Sequence, residues 1–322
     1  MSAAAPPPEL VALLQARASL VLAVHKGPDG DAAGSALGLA HALWAQGKDV
    51  QVVAPTPVPQ HYRWLPGAER FAQAIQGTPD VVILLDCDGL DRIGELRAAA
   101  EQAPVLVNID HHGSGEPFGA IRYLDRGVAA TAQLVLRLLQ ALEWPVTTKI
   151  ATCLYTGLAT DTGFFRFENT DAAALAAGAE LVALGAAPTA IAEAVSEARS
   201  VARTQLLGRA LQGARMDATG RIAWAVLRPD DFRETGTGAG DTEGIVEALK
   251  QVEGQQAAVL FKAPERDDQW QISLRSRRAD VARVAKRFGG GGHPRAAGCD
   301  VNGTLAEVRA RVLAEVQKAI DE

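Results

Sequence analysis

The chain has 322 residues, with 32 Lys and Arg against 38 Asp and Glu, a formal net charge of −6. That length fits two ordinary domains, and 48% apolar with 22% charged residues excludes a disordered or fibrous chain. The acidic balance excludes a protein that coats long nucleic acid by bulk charge, while leaving room for a small basic pocket. The cysteines Cys87, Cys153 and Cys299 are odd in number, far apart and set among apolar residues, which points to a reduced, cytoplasmic setting. Residues 1–8 hold no basic group followed by a long apolar run, so neither a signal peptide nor a membrane span is expected.

In chain order, Ser19 to Val24 reads as a strand and Asp31 to Gln46 as a helix, with Leu37, Ala40, His41 and Trp44 at helical spacing. Asp49 to Ala54, Val81 to Leu85 and Val105 to Ile109 read as further strands. Uninterrupted apolar strands alternating with helices predict a parallel sheet with helices on both faces. Helices follow at Ala129 to Leu142, Lys149 to Thr160 and Ala172 to Leu184. The charged run Ile191 to Gly213 is expected to carry the chain into a smaller α/β domain. Its strands are Arg221 to Leu227, Gln256 to Lys262 and Gln269 to Arg275; its helices are Asp241 to Val252 and Leu305 to Ile320. The resulting division is 1–192, a helical linker 193–213, and 214–322.

Carboxylates and histidines fall at the same end of three strands. His25 follows the first strand, with Asp29 and Asp31 in the next turn; Asp86 follows Val81 to Leu85; Asp110, His111 and His112 follow Val105 to Ile109. Ligands of open parallel sheets bind outside the carboxyl ends of the strands, so these clusters should converge. Taken singly, Asp29-Gly30-Asp31 reads as a capped turn and Asp86 as a helix cap or loop residue. Together they form an acidic crevice whose mutual repulsion bound cations would reverse, and His25, Asp29, Asp31, Asp86 and His111 could supply two divalent ions. Farther on, Gly289 to Gly292 before His293 and Arg295 reads as a nest of N–H groups for an anion, and Arg275-Ser276-Arg277-Arg278 closes the preceding strand. The glycine run at Thr235 to Gly240 reads as a linker.

His25 to Ser35, Leu84-Leu85-Asp86, Asn108 to His112, Leu154 to Gly163 and Gly289 to Gly298 stand in the order found in the DHH phosphoesterase superfamily, which the chain resembles over nearly its whole length. The last of these segments resembles the partner DHHA1 domain. The resemblance implies an active site in the cleft between the domains, with His25 and Asp29 on one manganese ion, Asp31, His111 and Asp161 on the other, and Asp86 bridging. Magnesium is the alternative metal. The resemblance also supplies Asp161, which pattern reading alone does not select. Asp110 would orient a histidine and His112 would face the substrate phosphate, so Asp86, His112 and Asp110 form the expected catalytic set. Gly291, Gly292, His293, Arg295 and Arg275 would join His112 in binding substrate. The sequence departs from the family pattern at Gly113 to Phe118, where many relatives place an Asn.

The chain leaves no room for the extra oligonucleotide-binding domain of RecJ-type exonucleases, and manganese pyrophosphatases lack the Gly-Gly-Gly-His segment. The remaining resemblance, to the nanoRNase and pAp phosphatase family, implies two-metal hydrolysis of very short RNA, about two to five nucleotides, to 5′-mononucleotides, and of pAp to AMP. DNA oligonucleotides are a further candidate substrate, and a homodimer a candidate assembly. A cyclic or linear dinucleotide phosphodiesterase is the alternative enzyme; a nucleotide-sensing module without catalysis is the alternative of another class.

Overall fold

A computed structural model describes residues 4–112, 118–197 and 200–322, and the chain divides into two compact units, Met1–Ala198 and Arg199–Glu322. The sequence departure at Gly113 to Pro117 lies outside the described residues.

The first unit is built on six parallel strands: β1 (Ser19–Ala23), β2 (Asp49–Val53), β3 (Phe71–Ala72), β4 (Val81–Leu85), β5 (Val105–Asp110) and β6 (Ile121–Leu124). Their order is β3-β2-β1-β4-β5-β6. The chain runs outward from β1 through β2 to β3, then returns to place β4 on the other side of β1. The crevice between the carboxyl ends of β1 and β4 is therefore a topological switch point, where loops diverge and leave space for a ligand. β4 is buried along its length, in keeping with its unbroken apolar run.

The two sheet faces are covered differently. On one, Leu20, Leu22, Ile83 and Val107 share a core with the helices Gly30–Ala45 and Thr131–Ala141, and the helix Thr148–Asp161 packs outside them in the same core. On the other, Val21, Ala23, Val82 and Leu84 are covered by Ile93, Leu96 and Ala100, from a 3₁₀ helix (Leu90–Leu96) and a short α-helix (Arg97–Ala100). Among the described residues the long helices thus lie on one face, while the β4–β5 connection crosses the other as two short helical pieces, the first of them broken at Gly94 with φ +49°.

The helix Gly30–Ala45 lies between the sheet and the helix Thr148–Asp161, and glycine makes that approach feasible. A Cβ at Gly30 would stand 2.3 Å from Thr160 Oγ1, one at Gly34 2.3 Å from the Cys153 carbonyl oxygen, and one at Gly38 2.5 Å from Leu154. Residues four apart share a helix face, so these three form one smooth stripe. No single described helix is long and apolar enough to cross a membrane; Ala172–Ala183 and Pro188–Val195 reach that length only as a pair bent by 110°.

The second unit contains β7 (Arg215–Met216), β8 (Ile222–Leu227), β9 (Ala257–Lys262), β10 (Gln269–Ser276), β11 (Gly291–His293) and β12 (Ala296–Asn302), in the order β11-β12-β10-β9-β8-β7. β8 and β9 are parallel and the other pairs antiparallel. Three expectations need correction. Residues 193–213 do not form one linker helix: a π-helix spans Glu193–Glu197, and the helix Val201–Gln212 buries Leu206 and Ala210 in the second unit's core. The helix expected over 241–252 is a 3₁₀ turn (Ala239–Thr242) and a short α-helix (Ile245–Leu249), interrupted at Gly244 with φ +82°. Of the run Gly289 to Gly292, Gly291 and Gly292 lie not in a free loop but in one arm of a hairpin, with Gly291 opposite Gly298, Gly292 opposite Ala297 and His293 opposite Ala296.

Gly34→Ala tests the helix stripe. Helix propensity favours alanine by about 1 kcal/mol, but a Cβ against a backbone carbonyl forces the helices apart. A net loss of about 1–3 kcal/mol in denaturant unfolding is expected, and a gain would show the contact to be yielding.

Candidate metal centre

Three strand ends and two helix ends deliver the side chains. His25 lies two residues beyond β1; Asp86 follows β4; Asp110 ends β5, with His111 and His112 after it. Asp29 caps the helix Gly30–Ala45, its Oδ1 accepting the N–H of Asp31 (3.1 Å) and Ala32 (3.0 Å). Asp161 is the last residue of the helix Thr148–Asp161.

Asp31 is buried in the first turn of the Gly30–Ala45 helix and also meets the start of another. Its Oδ2 accepts the Thr131 N–H at 2.6 Å and its Oδ1 the Ala132 N–H at 2.9 Å, while Ser35 Oγ donates to Oδ1 at 3.1 Å. Helix N-termini carry unpaired N–H groups and positive potential, so a carboxylate can be buried there at reduced cost. Gly157 leaves Asp31 room, since a Cβ at Gly157 would stand 2.8 Å from its Oδ1.

Asp86 has φ +58°, a left-handed conformation uncommon outside glycine. Its N–H is held by the Ile109 carbonyl at 3.0 Å and its Oδ1 accepts the Thr131 hydroxyl at 2.9 Å. The carboxylate then faces two ways: Oδ2 is 3.8 Å from His25 Nε2, and Oδ1 is 3.5 Å from His111 Nε2. His25 Nε2 is also 3.8 Å from Asp29 Oδ1; His111 Nε2 is 3.8 Å from Asp31 Oδ2 and 3.5 Å from Asp161 Oδ2. The donors thus form two groups, His25, Asp29, Asp86 and Asp31, His111, Asp161, with Asp86 and His111 also adjoining His112.

These separations suit cations better than hydrogen bonds. They exceed the usual hydrogen-bond range, and they lie near the edge of about 3.4 Å expected for a tetrahedral shell with bonds of about 2.1 Å. His25 Nδ1 is 3.0 Å from the Lys26 carbonyl; donating there leaves Nε2 with a lone pair for an ion. His111 Nε2 is buried without a hydrogen-bond partner among the described residues, although three carboxylates surround it. The residues present therefore fit divalent metal.

The electrostatics agree. Burial pushes Asp86 well above the ordinary carboxylate range, and the charges of Asp31, Asp29, Asp161 and Asp110 push the same way. Burial, then the charges of Asp31 and Asp29, raises Asp161 to about 8. Asp31 is raised mainly by burial. Cations in the crevice reverse this repulsion. His112 is different: burial opposes its charged form, yet its bond to Asp110, 2.7 Å from Nδ1 to Oδ1, and that carboxylate's charge raise its pKa.

Thr131, Ser35 and Asn169 were not selected from the sequence. Asn169 Nδ2 donates to the Asp161 carbonyl at 3.1 Å and the Ala129 carbonyl at 3.2 Å, tying the Asp161 helix end to the segment before Thr131. Only Thr131, at a helix start after Ala129-Ala130, carried a sequence signal. In the second unit, register puts Arg275, Ala296 and His293 in one cross-strand row, hence on one sheet face. Gly291 and Gly292 lie in the paired strand, and a Cβ at Gly292 would stand 2.5 Å from the Ala296 carbonyl oxygen. Arg295 Nη1 donates to the carbonyls of Arg278 and, at 3.0 Å, Ala279, so it holds that turn instead of reaching outward.

Residues 19–158 match the DHH family, N-terminal domain, and residues 220–322 the DHHA1 domain. The chain is 33% identical over 303 residues to the bifunctional oligoribonuclease and PAP phosphatase NrnA of Thermus thermophilus, covering 94% of this chain and 90% of that protein. Identity to the Bacillus subtilis protein of the same name is 28%, over 91% and 92% of the two chains. Among solved structures, an exopolyphosphatase-related protein from Bacteroides fragilis superposes with TM-score 0.90 at 28% identity, over 96% of this chain and 95% of that one. RecJ of Thermus thermophilus in complex with Mn²⁺ has a TM-score of 0.56 at 16% identity, over 96% of this chain and 54% of that one, a likeness of fold alone. The chain belongs to the DHH family of phosphoesterases, in the form that pairs a DHH domain with a DHHA1 domain.

A cation that binds only the folded centre stabilises it by mass action, by about 2.7 kcal/mol at one hundred times its Kd. Manganese is therefore expected to raise the wild-type melting temperature, with most of the rise lost in Asp86→Ala. Equal shifts in both proteins would place the binding elsewhere.

Proposed function

We propose that this chain is a manganese-dependent phosphoesterase that hydrolyses very short RNA oligonucleotides to 5′-mononucleotides and removes the 3′-phosphate of pAp. The observation that carries the proposal is the Asp86 carboxylate, whose two oxygens face two separate histidine-carboxylate groups. Two relatives covering nearly the whole chain and named for these activities support the substrate class.

His25, Asp29 and Asp86 would hold one ion, and Asp31, His111, Asp161 and Asp86 the other. Paired cations supply charge stabilisation for phosphate oxygens and a nucleophile available near neutral pH. The protein's own part is preorganisation. Thr131 holds Asp86 at the shared position, and the start of the Thr131–Ala141 helix holds Asp31. Asp110 holds the His112 ring beside Asp86, where it can donate to a phosphate oxygen. Arg275 and His293, on one face of the second sheet, supply contacts for a phosphate remote from the bond that breaks. Such contacts govern how substrate binds more than how fast it reacts.

The direct test is incubation with manganese and, separately, pAp, a pentanucleotide RNA, a dinucleotide and a cyclic dinucleotide, with products resolved by chromatography. AMP from pAp and mononucleotides from the linear substrates are expected. Cleavage of the cyclic substrate alone would favour a cyclic-dinucleotide phosphodiesterase; no product from any would leave a sensor. Asp86→Ala is expected to abolish turnover, and full activity in that variant would overturn the assignment. Arg275→Ala should act chiefly on KM for dinucleotides, about 10-fold for the loss of a charged contact, with kcat little changed.

A further inference from the structure

The second sheet is covered unevenly. One face is closed over β8, β9, β10 and β12, where Phe261, Ile272 and Leu274 pack with Val284, Val308 and Val312 from two helices. The other is closed over β8 and β9 by Leu206, Phe232, Ile245 and Leu249. On that face β10, β12 and β11 carry half-buried small or polar residues, Ser273, Arg275, Ala296, Gly298 and Gly291. This forms an open strip with a low floor and Arg275 standing on it.

Arg275 is not loose there. Its Nε donates to Glu247 Oε1 at 2.8 Å, its Nη2 lies 2.8 Å from the same oxygen, and its Nη1 donates to the Leu274 carbonyl at 3.0 Å. A guanidinium has five N–H donors in a rigid plane. These contacts use three and leave one on each terminal nitrogen, side by side on the outer edge. That pair is the fork that binds a phosphate through two parallel hydrogen bonds.

Lys262 faces the same strip, since it pairs with Gln271, which alternates onto the face of Ser273 and Arg275. Its Nζ donates to Thr242 Oγ1 at 3.0 Å, and among the described residues no carboxylate pairs with it. Burial and the nearby charge of Arg275 lower its pKa. Asp300, opposite Gln271 on the neighbouring strand, stands on the same face, and its charge and that of Glu247 act on Lys262 in the opposite sense. The two cations are thus balanced by two carboxylates, and what the strip offers an anion is the outer edge of the Arg275 guanidinium.

We propose that Glu247 is a positioning residue: it fixes the Arg275 guanidinium so that the outer edge receives a terminal phosphate monoester of the substrate, distinguishing it from a terminal hydroxyl. This deepens the function proposed above and rests on it for the substrate, while the geometry lies wholly within the second unit.

The test uses the full chain with manganese and two substrates, diadenylate with a 5′-phosphate and diadenylate with a 5′-hydroxyl. Glu247→Ala frees the guanidinium and is expected to raise KM for the phosphorylated substrate about 10-fold, with kcat within about 2-fold and the hydroxyl substrate unaffected. Glu247→Gln keeps an oxygen that accepts both N–H groups and is expected to stay within about 2-fold of wild type. Calorimetric titration with AMP and with adenosine reads the same step without turnover: AMP binding should weaken by a similar factor in Glu247→Ala, and adenosine binding should not change. The proposal is overturned if Glu247→Ala leaves AMP affinity unchanged, tightens it, or raises KM for both dinucleotides alike, or if the wild type binds no AMP. Wild-type protein that cleaves neither dinucleotide, yet binds AMP in a Glu247-dependent way, would sustain the positioning role and remove the proposed activity.

Discussion

The first unit depends on the burial of one carboxylate. Asp31 joins the start of its own helix to the start of the Thr131–Ala141 helix, a hundred residues later, through two backbone N–H groups. An ionised carboxylate away from water is costly unless hydrogen-bonded and balanced by positive charge. Here two helix N-termini and the Ser35 hydroxyl supply that balance, and a cation held by the neighbouring donors would add to it. The same contact fixes Thr131, which holds Asp86. Gly157, beside Asp31, admits the helix that carries Asp161. Scaffold and candidate metal centre are therefore one set of contacts, not a rigid fold with a site added to it.

A second constraint follows from repulsion. Asp29, Asp31, Asp86 and Asp161 share one crevice, and the buried members are pushed toward their protonated forms. A crevice of this kind is destabilising without a counter-charge, and His111 Nε2, which has no hydrogen-bond partner among the described residues, stands among three of its carboxylates. The net charge of −6 accordingly describes the outer surface better than the crevice, whose carboxylates are neutralised when cations bind. The second unit answers a different problem. Its open strip presents hydrogen-bond donors on paired strands, with Glu247 restraining Arg275.

The apolar strands and the ligands at their ends were legible because β1, β4 and β5 are short, mainly apolar runs, with His25 two residues beyond β1, Asp86 directly after β4 and Asp110 closing β5 ahead of His111. Asp161 was not, because it ends a helix and nothing local separates it from an ordinary acidic helix end; only the resemblance selected it. Thr131 and Glu247 escaped notice for a related reason: their partners lie 45 and 28 residues away in sequence. The glycine run misled in another way. Glycine permits both nests and close strand pairing, and the partner Ala296–Gly298, which decides between them, was visible as sequence but not as a strand. The segment 193–213 looked like one helical linker because helical composition persists across it, whereas burial of Leu206 and Ala210 assigns its later part to the second unit's core.

The sequence by itself determined the parallel α/β character of the first unit and the end of the sheet where its chemistry gathers, because period and composition are local properties of the chain. It also carried the residue types that divalent cations require. Tertiary structure decided how these residues serve: which oxygen of Asp86 faces which histidine, that Arg295 holds a turn, and that Arg275 is oriented by Glu247. The physical reason is that hydrogen bonds and metal shells are sensitive to ångström-scale separations between side chains remote in sequence. Those separations arise only when helices pack at particular depths, as Gly30, Gly34 and Gly38 allow here.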